Sequence, residues 1–303
     1  MDLPDGLTSR PLTQDDARAV YEVMAAQERA DIGRVEIEEA DIVGDWARPS
    51  FDIASSTIGV LDGDRLVGCA EVSGDRGDAA VLPEWRGRGV GTWLAHRMQA
   101  MARDKGASVI GMPTPQGSPG DRLLEALGYH VRWTSWVLKL SAEESVPERA
   151  LPQGYAVRAA EETEWPAAHD VLEDAFLEWS VRDRETWADF TASVLERPDF
   201  EPWWFRVVTD PGGSVVGAAI VSAAVSDPGE PPEGYVSRIA IRRDERNRGL
   251  AQALLSDCFA RAREHGAEEC GLSTDSRTGA LGLYRHVGMR VTDTWLNRAI
   301  DLT

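Results

Sequence analysis

The chain has 303 residues, more than one hydrophobic core usually serves and enough for two domains of about 150 residues each. Acidic residues outnumber basic ones 51 to 32, a formal charge of −19, which excludes a surface built for nucleic acid or for an anionic membrane. Three cysteines, Cys69, Cys258 and Cys270, form neither a disulfide framework nor a metal-ligand cluster, so no metal is expected.

The opening stretch "MDLPDGLTSRPLTQDD" has no basic segment followed by an apolar one. No run approaches the roughly 18 apolar residues that span a bilayer. A cytoplasmic protein without a membrane partner is expected. Next, "STIGVLDGDRLVGCAEV" (Ser56–Val72) predicts two strands around an Asp-Gly turn. A short apolar strand, "AAVLP", leads into "EWRGRGVGTWL" (Glu84–Leu94), where three glycines and two arginines precede a helical pattern. Leu94, Met98 and Met101 recur at i, i+4 and i+7, and Gly106 stands where a helix would end. A strand at Ala107–Met112, a short helix ending in "LGY" (Leu127–Tyr129) and an alternating strand follow. "SAEESVPERA" (Ser141–Ala150) is polar, carries a proline and reads as a linker.

The same order then returns. Pro4, Gly6 and Arg10 match Pro152, Gly154 and Arg158 at an offset of 148. Arg86, Arg88 and Gly89 match Arg246, Arg248 and Gly249 at 160, as do Gly106 with Gly266 and "LGY" with "VGM" (Val287–Met289). One insertion in the second copy explains the change of offset, and "SDPGEPPEG" (Ser226–Gly234) is its candidate. "WFRVVTDPGGSVVGAAIVSAAV" (Trp204–Val225) is the second hairpin, and Cys258 lies in the apolar stripe of the second helix. The fold class is α/β, an α+β mixed sheet made twice, with domains at 1–142 and 150–303.

A glycine turn between a strand and a helix has a physical use. The first N–H groups of the helix lack partners, the helix dipole favours an anion, and glycine lets the backbone come close. Such a turn suits a pyrophosphate. It is not a P-loop, because no Gly-Lys-Ser/Thr follows, and it lacks the glycine spacing of a dinucleotide fingerprint.

"RGRGVG" (Arg86–Gly91) and "RNRGLA" (Arg246–Ala251) resemble the R/Q-x-x-G-x-G/A signature of the GNAT superfamily of N-acetyltransferases. "TGALGLYRHVGM" (Thr278–Met289) resembles the element that closes that fold, and the overall layout is similar to tandem acetyltransferases of actinobacterial type. The resemblance implies two tandem GNAT-like acyl-CoA N-acyltransferase domains with acetyl-CoA as co-substrate. It implies cofactor binding by Ala240, Ile241, Arg246, Asn247, Arg248, Gly249, Leu250 and Ala251 in the second copy. In the first copy it implies Val81, Leu82, Arg86, Gly87, Arg88, Gly89, Val90 and Gly91, although that turn also fits a fold element with no ligand. It further implies strands that splay apart beside the site.

The copies differ at one position. Tyr284 stands four residues before Gly288, where the family often places the acid that protonates the departing thiolate; the first copy has Leu124. The C-terminal domain is thus expected to be catalytic and the N-terminal one degenerate. The strand glutamate that often serves the family as base is replaced by Ser237 and Arg238. His169, Glu173, Asp174, Glu178 and Asp275 stay open as alternatives. Trp165, Trp179, Trp187, Trp203 and Trp204 read as packing, with a pocket for a flat or cationic group as the alternative. The expected activity is acetyl transfer to a primary amine of a small molecule. The alternatives are a non-catalytic acyl-CoA sensor and a protein or peptide N-acetyltransferase.

Overall fold

The computed structural model describes residues 2–225 and 231–302. The elements in chain order are β1 (Thr8–Arg10), α1 (Ala17–Asp31), α2 (Glu39–Trp46), α3 (Ile53–Ser56), β2 (Thr57–Asp62), β3 (Arg65–Ser73), β4 (Arg76–Val81), α4 (Val90–Asp104), β5 (Val109–Pro115), α5 (Pro119–Ala126) and β6 (His130–Leu140). The second series is β7 (Ala156–Ala159), α6 (Trp165–Phe176), α7 (Trp187–Phe190), β8 (Phe205–Thr209), β9 (Val215–Ala224), β10 (Glu233–Ile241), α8 (Leu250–Glu264), β11 (Glu269–Asp275), α9 (Leu281–His286) and β12 (Arg290–Asp301). Both expected hairpins, both long helices and both terminal strands are present. Of the candidate insertion at Ser226–Gly234, residues 226–230 lie outside the described residues.

The chain forms two compact units that are not continuous in sequence. The N-terminal unit comprises Met1–Ser135, Ala192–Pro198 and Thr294–Thr303; the C-terminal unit comprises Trp136–Thr191 and Asp199–Asp293. In the N-terminal unit the strand order is β1-β2-β3-β4-β5-β12. Strand β12 enters it because Trp295–Asp301 pairs antiparallel with β5, from Trp295↔Pro115 to Asp301↔Val109. In the C-terminal unit the order is β6-β11-β10-β9-β8-β7.

Periodicity explains each core. Gly68 and Gly77 present bare backbone to α4, where an added Cβ would press on Val90, Leu94 and Met98. Leu94, Met98 and Ala102, spaced for one helix face, are buried there. In the other unit Leu254, Leu255, Cys258, Phe259 and Ala262 of α8 are buried, which confirms Cys258 as core. No helix among the described residues is long and apolar enough to cross a membrane.

Candidate functional site

The second glycine turn is built from alternating backbone conformations. Asn247 has φ 65° and Gly249 has φ 82°, both left-handed. Gly249 is the N-cap of α8 and has no side chain with which to cap it, so the first N–H groups of that helix face the turn without a capping acceptor from that residue. A Cβ at Gly249 would fall 2.6 Å from Cδ of Arg149, whose side chain lies across the turn. Bare backbone, helix terminus and one guanidinium thus converge on a place for an anion. Arg149 sits in the stretch read as a linker, and only its charge among polar neighbours could have marked it.

The signature arginines serve the scaffold. Arg246 is bidentate to Glu178 at 2.7 and 2.8 Å, and its Nε donates to the Ile241 carbonyl at 3.0 Å. Arg248 donates to the Tyr155 hydroxyl at 2.7 Å and pairs with Glu245 at 3.0 Å. In the first turn Arg86 is bidentate to Asp31 at 2.8 and 3.0 Å, while Arg88 lies over the Trp85 ring. Arg86 and Arg246 therefore do the same work: each ties the turn to the end of the first long helix of its unit or the residues just after it. Gly87 and Gly89 take φ 73° and 89°, Val90 and Leu250 begin α4 and α8 as buried residues, and Gly91 and Ala251 follow in those helices.

The strands before the turns differ more. Parallel pairing of β10 with β11 runs from Glu233↔Glu269 to Val236↔Leu272. There β10 bulges against β9, between Val236 and Arg238, leaving Ser237 out of the ladder. Beyond the bulge β10 pairs with β9 alone, up to Ile241↔Gly217. The Arg242 N–H donates to Val216, toward β9. By the alternation of an antiparallel ladder, the N–H of Ile241 and the carbonyl of Ile239 face the other way, into the gap. Ala240 is turned toward β9. In the first copy β3 and β4 pair without a break from Gly68↔Val81 to Ser73↔Arg76. There the matching backbone groups are taken: the Gln27 amide accepts from the Val81 N–H at 3.0 Å and donates to the Ala79 carbonyl at 3.4 Å. The Leu82 N–H donates to Val67.

Tyr284 lies on α9, 8% exposed, and its hydroxyl makes no hydrogen bond among the described residues. Burial pushes its pKa up to about 12, so the phenol keeps its proton across the neutral range. Leu124, its counterpart, is part of the N-terminal core.

Most of the open alternatives for a base are already held. Burial pushes the Glu173 carboxyl up, but hydrogen bonds from Arg182 at 2.6 and 2.8 Å and from the Glu185 N–H outweigh it and leave the pKa lowered. Asp174 pairs with Arg184, Glu178 with Arg246 and Asp275 with Arg277. His169 is buried, which lowers its pKa, and its Nε2, 3.8 Å from a Glu185 carboxylate oxygen, has no hydrogen-bond partner among the described residues. His169, Glu173 and Glu185 place one ligand atom each within 4.8 Å of one another, a spacing a metal could use. Arg182 and Arg238 already neutralise the two carboxylates. Ser237 is exposed at the bulge. The tryptophans mostly pack: Trp204 is buried, Trp165 meets Phe200 edge-on at 5.8 Å, Trp187 stacks on Phe190 at 5.5 Å, and Trp203 stacks on His265 at 4.0 Å. Trp179 lies under the Arg277 guanidinium.

Comparison with known proteins agrees with this fold. The model of the acetyltransferase (GNAT) family matches twice, over residues 18–129 and 165–289. A mycothiol acetyltransferase of Thermobispora bispora is 26% identical over 288 residues, covering 91% of this chain and 93% of the relative. One from Salinispora arenicola is 28% identical over 225 residues, covering 70% and 68%. Among solved structures, a GCN5-related N-acetyltransferase from Sphaerobacter thermophilus superposes with a TM-score of 0.74 at 24% identity, over 99% of this chain and 97% of that one. A tandem GNAT protein from the clavulanic acid biosynthesis pathway gives 0.69 at 17% identity, over 98% and 99%. The chain belongs to the acetyltransferase (GNAT) family, carries its fold in two copies, and is an N-acetyltransferase that uses acetyl-CoA.

Proposed function

We propose that this protein moves an acetyl group from acetyl-CoA to a primary amine of a small molecule, by direct transfer in its C-terminal unit. The observation that carries this reading is the open backbone edge of β10 beside its bulge, set against the matching edge of β4, which Gln27 fills.

Acetyl-CoA supplies an acetyl group activated as a thioester. The residues present suit it: a Cβ at Gly249 would fill the turn, and Arg149 adds a cation where the diphosphate would lie. The Ile239 carbonyl and the Ile241 N–H are oriented to bond an amide of the pantetheine arm. The N–H groups beside the bulge are the candidates for polarising the acetyl carbonyl. Tyr284 holds a proton on its hydroxyl and offers it to the leaving sulfur. A cysteine route is disfavoured, since burial pushes the Cys69 thiol up to about 12 and the Cys270 thiol up to about 11, and raises Cys258 well above the ordinary range. Relatives named for mycothiol, a small molecule, support a small-molecule acceptor.

Replacing Tyr284 by phenylalanine removes only the proton donor. Steady-state kinetics of Tyr284→Phe should show kcat reduced by roughly 10²-fold or more, with acetyl-CoA affinity near that of the wild type. An unchanged kcat rejects the assignment of Tyr284.

A further inference from the structure

Within the C-terminal unit, the chain just past the end of α6 joins the turn after β10 to the loop after β11. Arg246, whose Nε donates to the Ile241 carbonyl at the end of β10, is bidentate to Glu178. The next residue is Trp179, and the Arg277 guanidinium lies over its ring, 4.9 Å from the centroid. Arg277 is tied in turn to Asp275, the last residue of β11, by its backbone N–H at 2.8 Å and by its guanidinium at 2.5 Å. The contacts thus run from the end of β10 to the end of β11, the two strands that part beyond Val236↔Leu272. Since α6 packs on β9 and β10, Glu178 and Trp179 cross the open end of the gap on that face of the sheet.

Trp179 is only half-buried, yet its ring is fixed from two sides. Arg277 covers one face, its charge balanced by Asp275, and Phe176 meets the ring edge-on at 5.4 Å. The first copy has no such arrangement. There Asp31 does the work of Glu178, and the residue after it is Ile32. At the offset of 160, Pro115 and Gly117 stand where the second copy has Asp275 and Arg277. That copy is also the one whose strand edge Gln27 fills. The fixed indole accompanies the open edge. Free backbone groups beside an aromatic wall suit an extended chain that alternates amides with apolar groups, amides to the strand and apolar groups to the ring.

We propose that Trp179 is a binding residue for acetyl-CoA, a step that rests on the proposed placement of the pantetheine arm along β10. Its ring closes the gap on the α6 face and packs against that arm, and Arg277 is the positioning residue that holds the ring there.

The test uses the full-length protein labelled with 5-fluorotryptophan, in which the loss of one ¹⁹F resonance in Trp179→Phe identifies Trp179. Acetyl-CoA should shift that resonance saturably. 3′,5′-ADP, which carries the nucleotide but no arm, should leave it unmoved. In isothermal titration calorimetry Trp179→Leu and Arg277→Gln should each weaken acetyl-CoA by about tenfold or more, whereas Trp179→Phe, which keeps a ring, should cost less than about threefold. An unmoved resonance at saturating acetyl-CoA overturns the proposal, and this readout needs no variant to bind. An equal shift with 3′,5′-ADP, or wild-type affinity in Trp179→Leu, overturns it as well. A wild type that binds no acetyl-CoA in the calorimeter is a separate result, the failure of the proposed function itself.

Discussion

Glu71 links burial, charge and pH in one side chain. Burial, with Asp78 opposite as the next contribution, pushes its pKa up to about 7, against the Trp46 hydrogen bond and Arg48, which pull the other way. A carboxyl whose pKa is raised on folding binds its proton more tightly in the native state. Its contribution to stability is full below the unfolded value and is lost as pH rises through about 7. Glu71→Gln removes that loss while keeping an acceptor for Trp46. The variant should melt roughly 2–4 °C above the wild type at pH 8 and within about 1 °C of it at pH 5, measured by calorimetry. Equal melting temperatures at pH 8 would show that Glu71 does not carry a buried charge. The sequence held a signal for this residue: an acid inside the apolar run "RLVGCAEVS" sits where alternation predicts a wall residue. Its pairing with Asp78 needed the register of β3 on β4. Tyr284 was legible for another reason, since it stands at a fixed distance from the glycine of its closing motif.

At the scale of elements, the two strand–turn–helix units share a backbone plan and differ in what surrounds it. Gly89 and Gly249 are both left-handed, where a side chain costs about 1–2 kcal/mol. A Cβ at Gly89 would meet only the Pro4 ring, at 3.6 Å, an ordinary contact, whereas at Gly249 it displaces Arg149. Gly89→Ala and Gly249→Ala should therefore lose similar stability in denaturant titrations. Only Gly249→Ala should weaken acetyl-CoA in isothermal titration calorimetry. Equal effects of the two changes on acetyl-CoA affinity would contradict the assignment to the second turn. Repeated glycines and arginines made both turns visible in the sequence, because the conformations they permit are local. The bulge at Ser237 and the Gln27 clamp on β4 left no such mark. One depends on how β10 meets β9, and the other on a helix residue reaching a strand more than fifty positions away.

The whole molecule repeats one fold with different residues around its two turns. The tandem plan was readable from constant offsets, and the double match to the family agrees with it. The ends of the compact units were less readable. Trp136–Leu140 of β6 belongs to the C-terminal unit, and β12 from Thr294 onward belongs to the N-terminal one. Both strands alternate in the same way, so pattern alone does not say which sheet each completes. Between the units the differences are consistent: bulge, open edge, Arg149 and Tyr284 in one; unbroken ladder, Gln27 and Leu124 in the other. We propose that the C-terminal unit alone holds acetyl-CoA. Native mass spectrometry of the full chain, titrated with acetyl-CoA, counts the bound molecules. One molecule per chain, retained in Gly89→Glu and lost in Gly249→Glu, is the expected result. Two molecules per chain, or one that survives Gly249→Glu, would contradict it.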